Sequence, residues 1–283
     1  MAKQLLGKEV TAALNARIKA NVAALAEKGI QPTLGIIRVG EREDDLSYER
    51  GATKRCETLG VAYEKFLLPA DVSQEELMAT IDKVNKDDRI HGVLIFRPLP
   101  KHLDEAAVIK ALSPEKDVDG ITDGSMVGVF AGTNQGFPPC TPSACMEILD
   151  HYGIDCTGKK AVVVGRSLVV GKPAAMMLLK KNATVTVCHT RTKDMPSVVK
   201  EADIVIVAAG RAGVVDDTYL RAGQTVIDVG INVNAEGKLC GDVDYAKAEP
   251  VVDAITPVPG GVGSVTTSVL VGHVVEAAMR KYL

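Results

Sequence analysis

"KKAVVVGRSLVVGKPAAMMLLKKNATVTVCHTRT", residues 159–192, decides the fold class. The valine-rich run at 161–164 reads as a buried strand, and Gly165 ends it. Gly171 then opens a stretch with helical spacing, and a second strand-like run follows before "CHTRT". Strand, glycine turn, helix and strand make a βαβ unit, because a parallel pair of strands needs a crossover connection. Gly165 and Gly171 are too far apart for Gly-x-Gly-x-x-Gly. The turn by itself therefore also fits a tight strand-to-helix connection in any α/β protein.

Outward from this unit the same alternation continues. "ADIVIVAAG" (202–210) and "QTVIDVGINV" (224–233) read as further strands, and "SVTTSVLVGHVVEAAMRKYL" (264–283) as an amphipathic helix. In the first half, "EVTAALNARIKANVAALAEKG" (9–29) has helical spacing and stops at Gly29, and "TLGIIRVG" (33–40) reads as a buried strand. "SQEELMATIDKVN" (73–85) opens with a capping box of Ser73 and Glu76, and "GVLIFRPLP" (92–100) is a strand ended by prolines. Between the halves, residues 113–143 are a Gly/Pro/Asp-rich stretch too long for an ordinary connector, and such segments tend to be functional or linkers. The expected fold is α/β in two domains with mainly parallel sheets, which suits 283 residues.

Composition narrows the function classes. A hydrophobic content of 46% with 24% charged residues is that of a soluble globular protein. A net charge of −3 with no long basic run argues against nucleic-acid and membrane-surface binding. No apolar h-region or membrane-length run is present, so the expected location is cytoplasmic. Cys56, Cys140, Cys145, Cys156, Cys188 and Cys240 lack zinc spacing; reduced structural thiols and no metal are expected.

The glycine turn, Gly165-Arg166-Ser167 through Gly171, could let a backbone approach a pyrophosphate seated over a helix N-terminus. An NAD-selecting protein usually places a carboxylate at the end of the next strand, about 20 residues on. Here Thr190 and Arg191 stand instead, and Arg can bond a 2′-phosphate through two N–H groups. NADP is favoured over NAD, with Arg166 as a second cation; the competing reading is a solvated loop. His189, in the same segment, reads as structural or cofactor-proximal.

"GVLIFRPLP", "PEKDVDG", "PPCTP", "VVVGRSLVVGKP", "VIDVGIN", "GDVD" and "ITPVPGGVGSVTT", in order from about residue 5 to the C-terminus, resemble the methylenetetrahydrofolate dehydrogenase/cyclohydrolase (FolD-type) family. The resemblance implies a folate-binding N-terminal domain (1–143, joined by a returning helix, 265–283) and a Rossmann-like NAD(P) domain (144–264). It also implies a homodimer and a place in one-carbon metabolism and purine biosynthesis. Members oxidise 5,10-methylenetetrahydrofolate to the methenyl form, and many hydrolyse that to 10-formyltetrahydrofolate. Carried over by position, Tyr48 and Asp119 would be catalytic, and Tyr48, Phe96, Pro98, Asp119, Pro259, Gly260, Gly261 and Val262 would meet the tetrahydrofolate substrate. Gly165, Arg166, Ser167, Gly171, Thr190, Arg191, Gly230 and Ile231 would meet the cofactor.

Two positions depart from that pattern. Bifunctional members carry Tyr-x-x-x-Lys and a Gln in a strand motif resembling "GxLVQLPLP"; here Ala52 stands for the Lys and Phe96 for the Gln. Asp45 also replaces a usual Ser. On a helix, position +4 lies ~40° from Tyr48 but position +6, where Lys54 sits, lies ~240° round. Hydride transfer needs no protein proton donor, whereas hydrolysis needs a group that exchanges protons with water. The expectation is a dehydrogenase with weak or lost cyclohydrolase activity. The alternatives are an ordinary bifunctional enzyme, in which Arg97 or another group substitutes, and a non-catalytic folate- or nucleotide-binding regulator.

Overall fold

The computed structural model describes residues 1–283. In chain order the first elements are β1 (Lys3–Gln4), α1 (Gly7–Ala26), β2 (Thr33–Val39), α2 (Glu43–Leu59), β3 (Ala62–Leu68), α3 (Gln74–Lys86) and β4 (Gly92–Ile95). Three helices follow: α4 (Glu105–Ala111), α5 (Asp123–Ala131) and α6 (Cys140–His151). The chain continues with β5 (Lys160–Val164), α7 (Gly171–Lys180), β6 (Thr184–Cys188), α8 (Met195–Lys200), β7 (Ile204–Val207) and β8 (Thr225–Asp228). It closes with β9 (Asn232–Val233), β10 (Leu239–Cys240), α9 (Tyr245–Ala248), β11 (Ala254–Ile255) and α10 (Thr266–Tyr282). No helix is long and apolar enough to cross a membrane.

The chain divides into two compact units. One comprises residues 14–140 and 267–283 and holds a parallel three-stranded sheet, β3-β2-β4. Residue 117 bridges Val93 in parallel and so extends the β4 edge. Strands β2 and β4 are buried along their length, as strands covered on both faces should be. Their Ile37, Val93 and Ile95 pack with Leu77, Ile81 and Val84 of α3 and with Val108 of α4. At the start of α3, Ser73 Oγ accepts the Glu76 N–H at 3.1 Å, the first half of the expected capping box. The expected strand over 92–100 ends at Ile95, so Phe96 already belongs to the loop.

The other unit comprises residues 1–13 and 141–266. Its parallel six-stranded sheet runs β1-β11-β8-β7-β5-β6. The chain goes from β5 outward to β6 and then crosses to β7 on the other side of β5, so the order reverses beside the carboxyl end of β5. Ligands of open α/β sheets bind at such a reversal. The core is valine and isoleucine: Val162, Val164, Val205, Val207, Val226 and Ile255 are all nearly inaccessible.

Three features differ from the sequence reading. Residues 1–13, expected in the first domain, join the second unit because Lys3 and Gln4 pair with Ala254 and Ile255. A two-residue strand has no periodicity to read. The stretch 113–143 holds a nine-residue helix, α5, with two internal glycines. A Cβ on Gly128 would lie 1.9 Å from the Gln135 carbonyl oxygen, so packing demands glycine where propensity opposes it. The run 224–233 breaks after Asp228, whose carboxylate draws the following backbone into a turn.

Candidate active site

In the unit built from 14–140 and 267–283, the residues of interest lie past the carboxyl ends of β2 and β4. Helix α2 starts four residues after β2 ends and carries Tyr48 in its second turn. Its rotation is set one residue later. Glu49 is buried and accepts Arg38 Nε from β2 at 2.7 Å and Lys65 Nζ from β3 at 2.8 Å. Burial pushes the Glu49 carboxyl up, but the bonds from Lys65 and Arg38 outweigh it and hold it below its usual value. Removing one partner of such a buried pair strands the other charge, so α2 has one orientation.

That orientation fixes what the helix offers. Helix α2 passes through Gly51 without a break. Ala52, one turn beyond Tyr48, is fully buried, whereas Lys54 is exposed. The Phe96 ring meets the Tyr48 ring edge-on, with centroids 5.9 Å apart. Arg97 is partly exposed and lies 3.6 Å from a carboxylate oxygen of Glu105, whose other oxygen accepts the Leu99 N–H at 2.8 Å. The Arg97–Pro98 peptide bond is cis and Pro98 is exposed.

Asp119 follows a loop organised by Asp117. The fully buried Asp117 carboxylate accepts the Ile121 and Thr122 N–H groups at 3.0 and 2.7 Å and the hydroxyls of Thr122 and Ser125 at 2.7 and 2.6 Å. Asp119 is only half-buried and keeps its carboxyl available. Burial raises that carboxyl to about 6, a bond from the Cys140 thiol lowers it, the Asp117 charge raises it and the Arg97 charge lowers it. Burial, then Cys140 and Asp119, push the Tyr48 hydroxyl well above its usual value, so it stays a neutral donor. The Val118 carbonyl accepts both Cys140 Sγ at 3.4 Å and His273 Nδ1 at 2.9 Å. Tyr48, Phe96, Arg97, Asp119 and Cys140 therefore form one cluster. The sequence reading names no role for Asp117 and only that of a structural thiol for Cys140, although both lie inside quoted motifs, "KDVDG" and "PPCTP".

In the other unit, Gly165 ends β5 with φ 134°, a conformation side chains rarely adopt. A Cβ there would lie 2.2 Å from the Ala208 carbonyl oxygen, and one on Gly171 would lie 2.2 Å from the Gly165 oxygen. These glycines let the β5, β7 and α7 backbones converge. Ser167 Oγ accepts the Val170 N–H at 3.1 Å, while Arg166 and Ser167 face solvent. The Gly165 N–H donates to the Cys188 oxygen at 2.9 Å, which brings the turn beside the segment after β6. There His189 is tied into its own turn: its N–H donates to Thr192 Oγ1 at 2.9 Å, and its Nδ1 accepts the Arg191 N–H at 3.2 Å. Thr190 and Arg191 are exposed.

Asp228, Gly230, Ile231 and residues 257–264 line a cavity of about 260 Å³ in the same unit. Pro259 follows a cis bond and Gly260 has φ 103°. Gly7 packs here without a side chain, its Cβ position 2.3 Å from the Gly261 oxygen. Pro259 and Gly260 are exposed, and Gly261 and Val262 are buried. A tight glycine turn at the sheet's reversal point and a cavity walled by glycine backbone in the same unit fit a dinucleotide.

The fold and these two clusters define a two-unit α/β protein with a Rossmann-like nucleotide-binding half. Residues 5–119 match the tetrahydrofolate dehydrogenase/cyclohydrolase catalytic domain, and residues 139–282 match the NAD(P)-binding domain of the same family. The chain belongs to the tetrahydrofolate dehydrogenase/cyclohydrolase family. It is 56% identical over 279 residues to the Bifunctional protein FolD of Carboxydothermus hydrogenoformans, covering 98% of this chain and 97% of that one. The crystal structure of the bifunctional FolD of Campylobacter jejuni superposes with a TM-score of 0.95 at 38% identity, covering 99% and 100% of the two chains. The Trypanosoma brucei FolD, complexed with NADP cofactor and inhibitor, gives a TM-score of 0.90 at 35% identity over 99% and 98%.

Proposed function

We propose that this protein is a 5,10-methylenetetrahydrofolate dehydrogenase that uses NADP and hydrolyses the methenyl product slowly. The observation that carries the reading is the Tyr48–Asp119–Cys140 cluster, whose Tyr48 and Asp119 lie in the stretch that matches the family's catalytic domain. Ionised Asp119 accepts N–H groups of the pterin ring, and charge-assisted bonds of this kind are short and strong. Tyr48 offers a ring to stack on and a hydroxyl that stays protonated. The nicotinamide supplies the hydride acceptor; the chain's own contribution is to position, to exclude water and to place charge.

For the cofactor, Gly165 to Gly171 would cradle the pyrophosphate, and Arg166, Thr190 and Arg191 would meet a 2′-phosphate. The NADP bound by the Trypanosoma brucei relative supports this choice. Gly230, Ile231 and residues 259–262 would enclose the nicotinamide.

The hydrolytic half has two readings. Relatives 45–56% identical to this chain are named bifunctional, which supports retained cyclohydrolase activity. Against this, hydrolysis of the methenyl cation must remove a proton from water and give one to the leaving nitrogen. Ala52 and Phe96 can do neither, Lys54 is exposed, and Arg97 stays protonated in proteins. Assays of both half-reactions with purified protein decide the matter. NADP reduction with methenyl decay near the uncatalysed rate supports our reading, brisk decay establishes the bifunctional one, and no reduction with either cofactor overturns both.

A further inference from the structure

The cavity of about 260 Å³ is lined by Asp228, and a second carboxylate, Asp242, lies behind Gly230 of the same lining; no cation pairs with either. Asp228, 2% exposed, accepts the Gly230 and Asp242 N–H groups on Oδ1 at 2.9 and 3.0 Å, and the Val243 N–H on Oδ2 at 3.0 Å. Asp242, fully buried, accepts Ala209 and Gly210 N–H on Oδ2 at 2.7 and 2.8 Å. Its Oδ1 takes the Arg211 N–H and Asn232 Nδ2, both at 2.9 Å. Two glycines make room for this: a Cβ on Gly230 would lie 2.4 Å from Asp242 Oδ1, and one on Gly241 would lie 1.8 Å from Asp228 Oδ2.

Six backbone N–H groups and one amide spread these charges over their dipoles but do not cancel them. Charged residues on the surrounding elements are spent elsewhere or face water. Arg211 is exposed, Lys238 pairs with Glu236 at 3.0 Å, and Lys247 pairs with Asp244 at 3.2 Å. Burial raises the Asp228 carboxyl to about 6, the Val243, Asp242 and Gly230 N–H bonds lower it, and the Asp242 charge adds a smaller rise. Asp228 in the lining and Asp242 behind Gly230, neither paired with a cation, add a standing negative potential, which acts strongly in a low-dielectric surrounding.

We propose that Asp228 and Asp242 form an anionic floor that makes this cavity bind an oxidised, positively charged nicotinamide more tightly than its reduced, neutral form. The inference rests on the placement of the nicotinamide in this cavity. Its consequence is a sorting of redox states: the floor favours NADP⁺ uptake and NADPH release, and on the enzyme it holds the hydride-transfer equilibrium toward NADP⁺.

The test is the ratio of the NADPH and NADP⁺ dissociation constants, measured calorimetrically on the full chain. A 2′-phosphate titrates alike in both ligands and cancels in the ratio. At pH 7.5 the ratio should exceed that at pH 5.5 by several-fold, because protonation of Asp228 below about 6 removes one charge from the floor. Asp242→Asn should lower the ratio about tenfold at pH 7.5, equivalent to ~1.4 kcal/mol. A ratio that moves with neither change, or affinities that fall equally for both ligands, would overturn the proposal; should the variant not fold, the wild-type pH arm decides alone. Nuclear Overhauser effects between the Ile231 methyls and the nicotinamide protons check the placement separately. Their absence in a saturated complex overturns placement and proposal together, and their presence with a pH-independent ratio overturns the proposal alone.

Discussion

The Phe96 ring stands edge-on to the Tyr48 ring, with centroids 5.9 Å apart and planes at 81°. Ring quadrupoles favour that geometry at separations of about 4.5–7 Å. The contact is apolar on the Phe96 side. One helical turn past Tyr48, Ala52 is fully buried.

Restoring both groups should restore hydrolysis. Ala52→Lys with Phe96→Gln is expected to raise methenyltetrahydrofolate decay by ~10²–10⁴-fold, the usual contribution of general acid–base catalysis. Phe96→Gln alone should change it little, since an amide does not titrate. A folded double variant that hydrolyses no faster than wild type would sink the positional assignment.

Asp119 should make substrate affinity depend on pH. Its carboxyl is raised to about 6, so KM for methylenetetrahydrofolate should climb as pH falls through that value. Asp119→Asn should raise KM at pH 8 and flatten the profile; KM falling toward pH 5 in wild type would contradict the role. Stability runs the other way. The folded state holds this proton up to about 6, the unfolded state only to the ordinary carboxylate value, so stability from this group is lost as pH rises across that window. Asp119→Asn should therefore melt no lower than wild type at pH 8.

Gly165→Ala places a Cβ at φ 134° and 2.2 Å from a backbone oxygen. Strain of ~1–3 kcal/mol per such residue predicts a Tm lower by roughly 3–10 °C in a chain of this size. NADP affinity should fall with it. Thermal melts and titrations that match wild type would show that the turn tolerates a side chain.

Arg191→Ala should cut kcat/KM for NADP while leaving NAD nearly unchanged. A lost charged hydrogen bond of ~1.5–3 kcal/mol corresponds to roughly 10–150-fold in the NADP/NAD ratio. Equal losses with both cofactors would place the guanidinium somewhere other than on the 2′-phosphate.

Much of the architecture was legible in particular runs. The 159–192 stretch appears as β5, the glycine turn, α7 and β6, because buried parallel strands are apolar throughout and helices carry a 3.6-residue period. Lys54 is exposed, as its spacing from Tyr48 required. The β1–β11 pairing and the glycine-bearing helix α5 were not legible, since the first is too short for a pattern and the second is held by a backbone approach at Gly128.

By itself, the sequence determined which side chains are present to do chemistry: a tyrosine, an aspartate and a glycine turn in order, with alanine at 52 and phenylalanine at 96. It could do so because helical and strand periods, and the chemistry of a side chain, are local properties. Only the tertiary structure decided the state of those groups. Burial, then Cys140, Asp117 and Arg97, sets the Asp119 carboxyl, and segments remote in the chain bring N–H donors to the buried Asp228 and Asp242. Desolvation and electrostatics depend on neighbours remote in the chain, so no local pattern carries them.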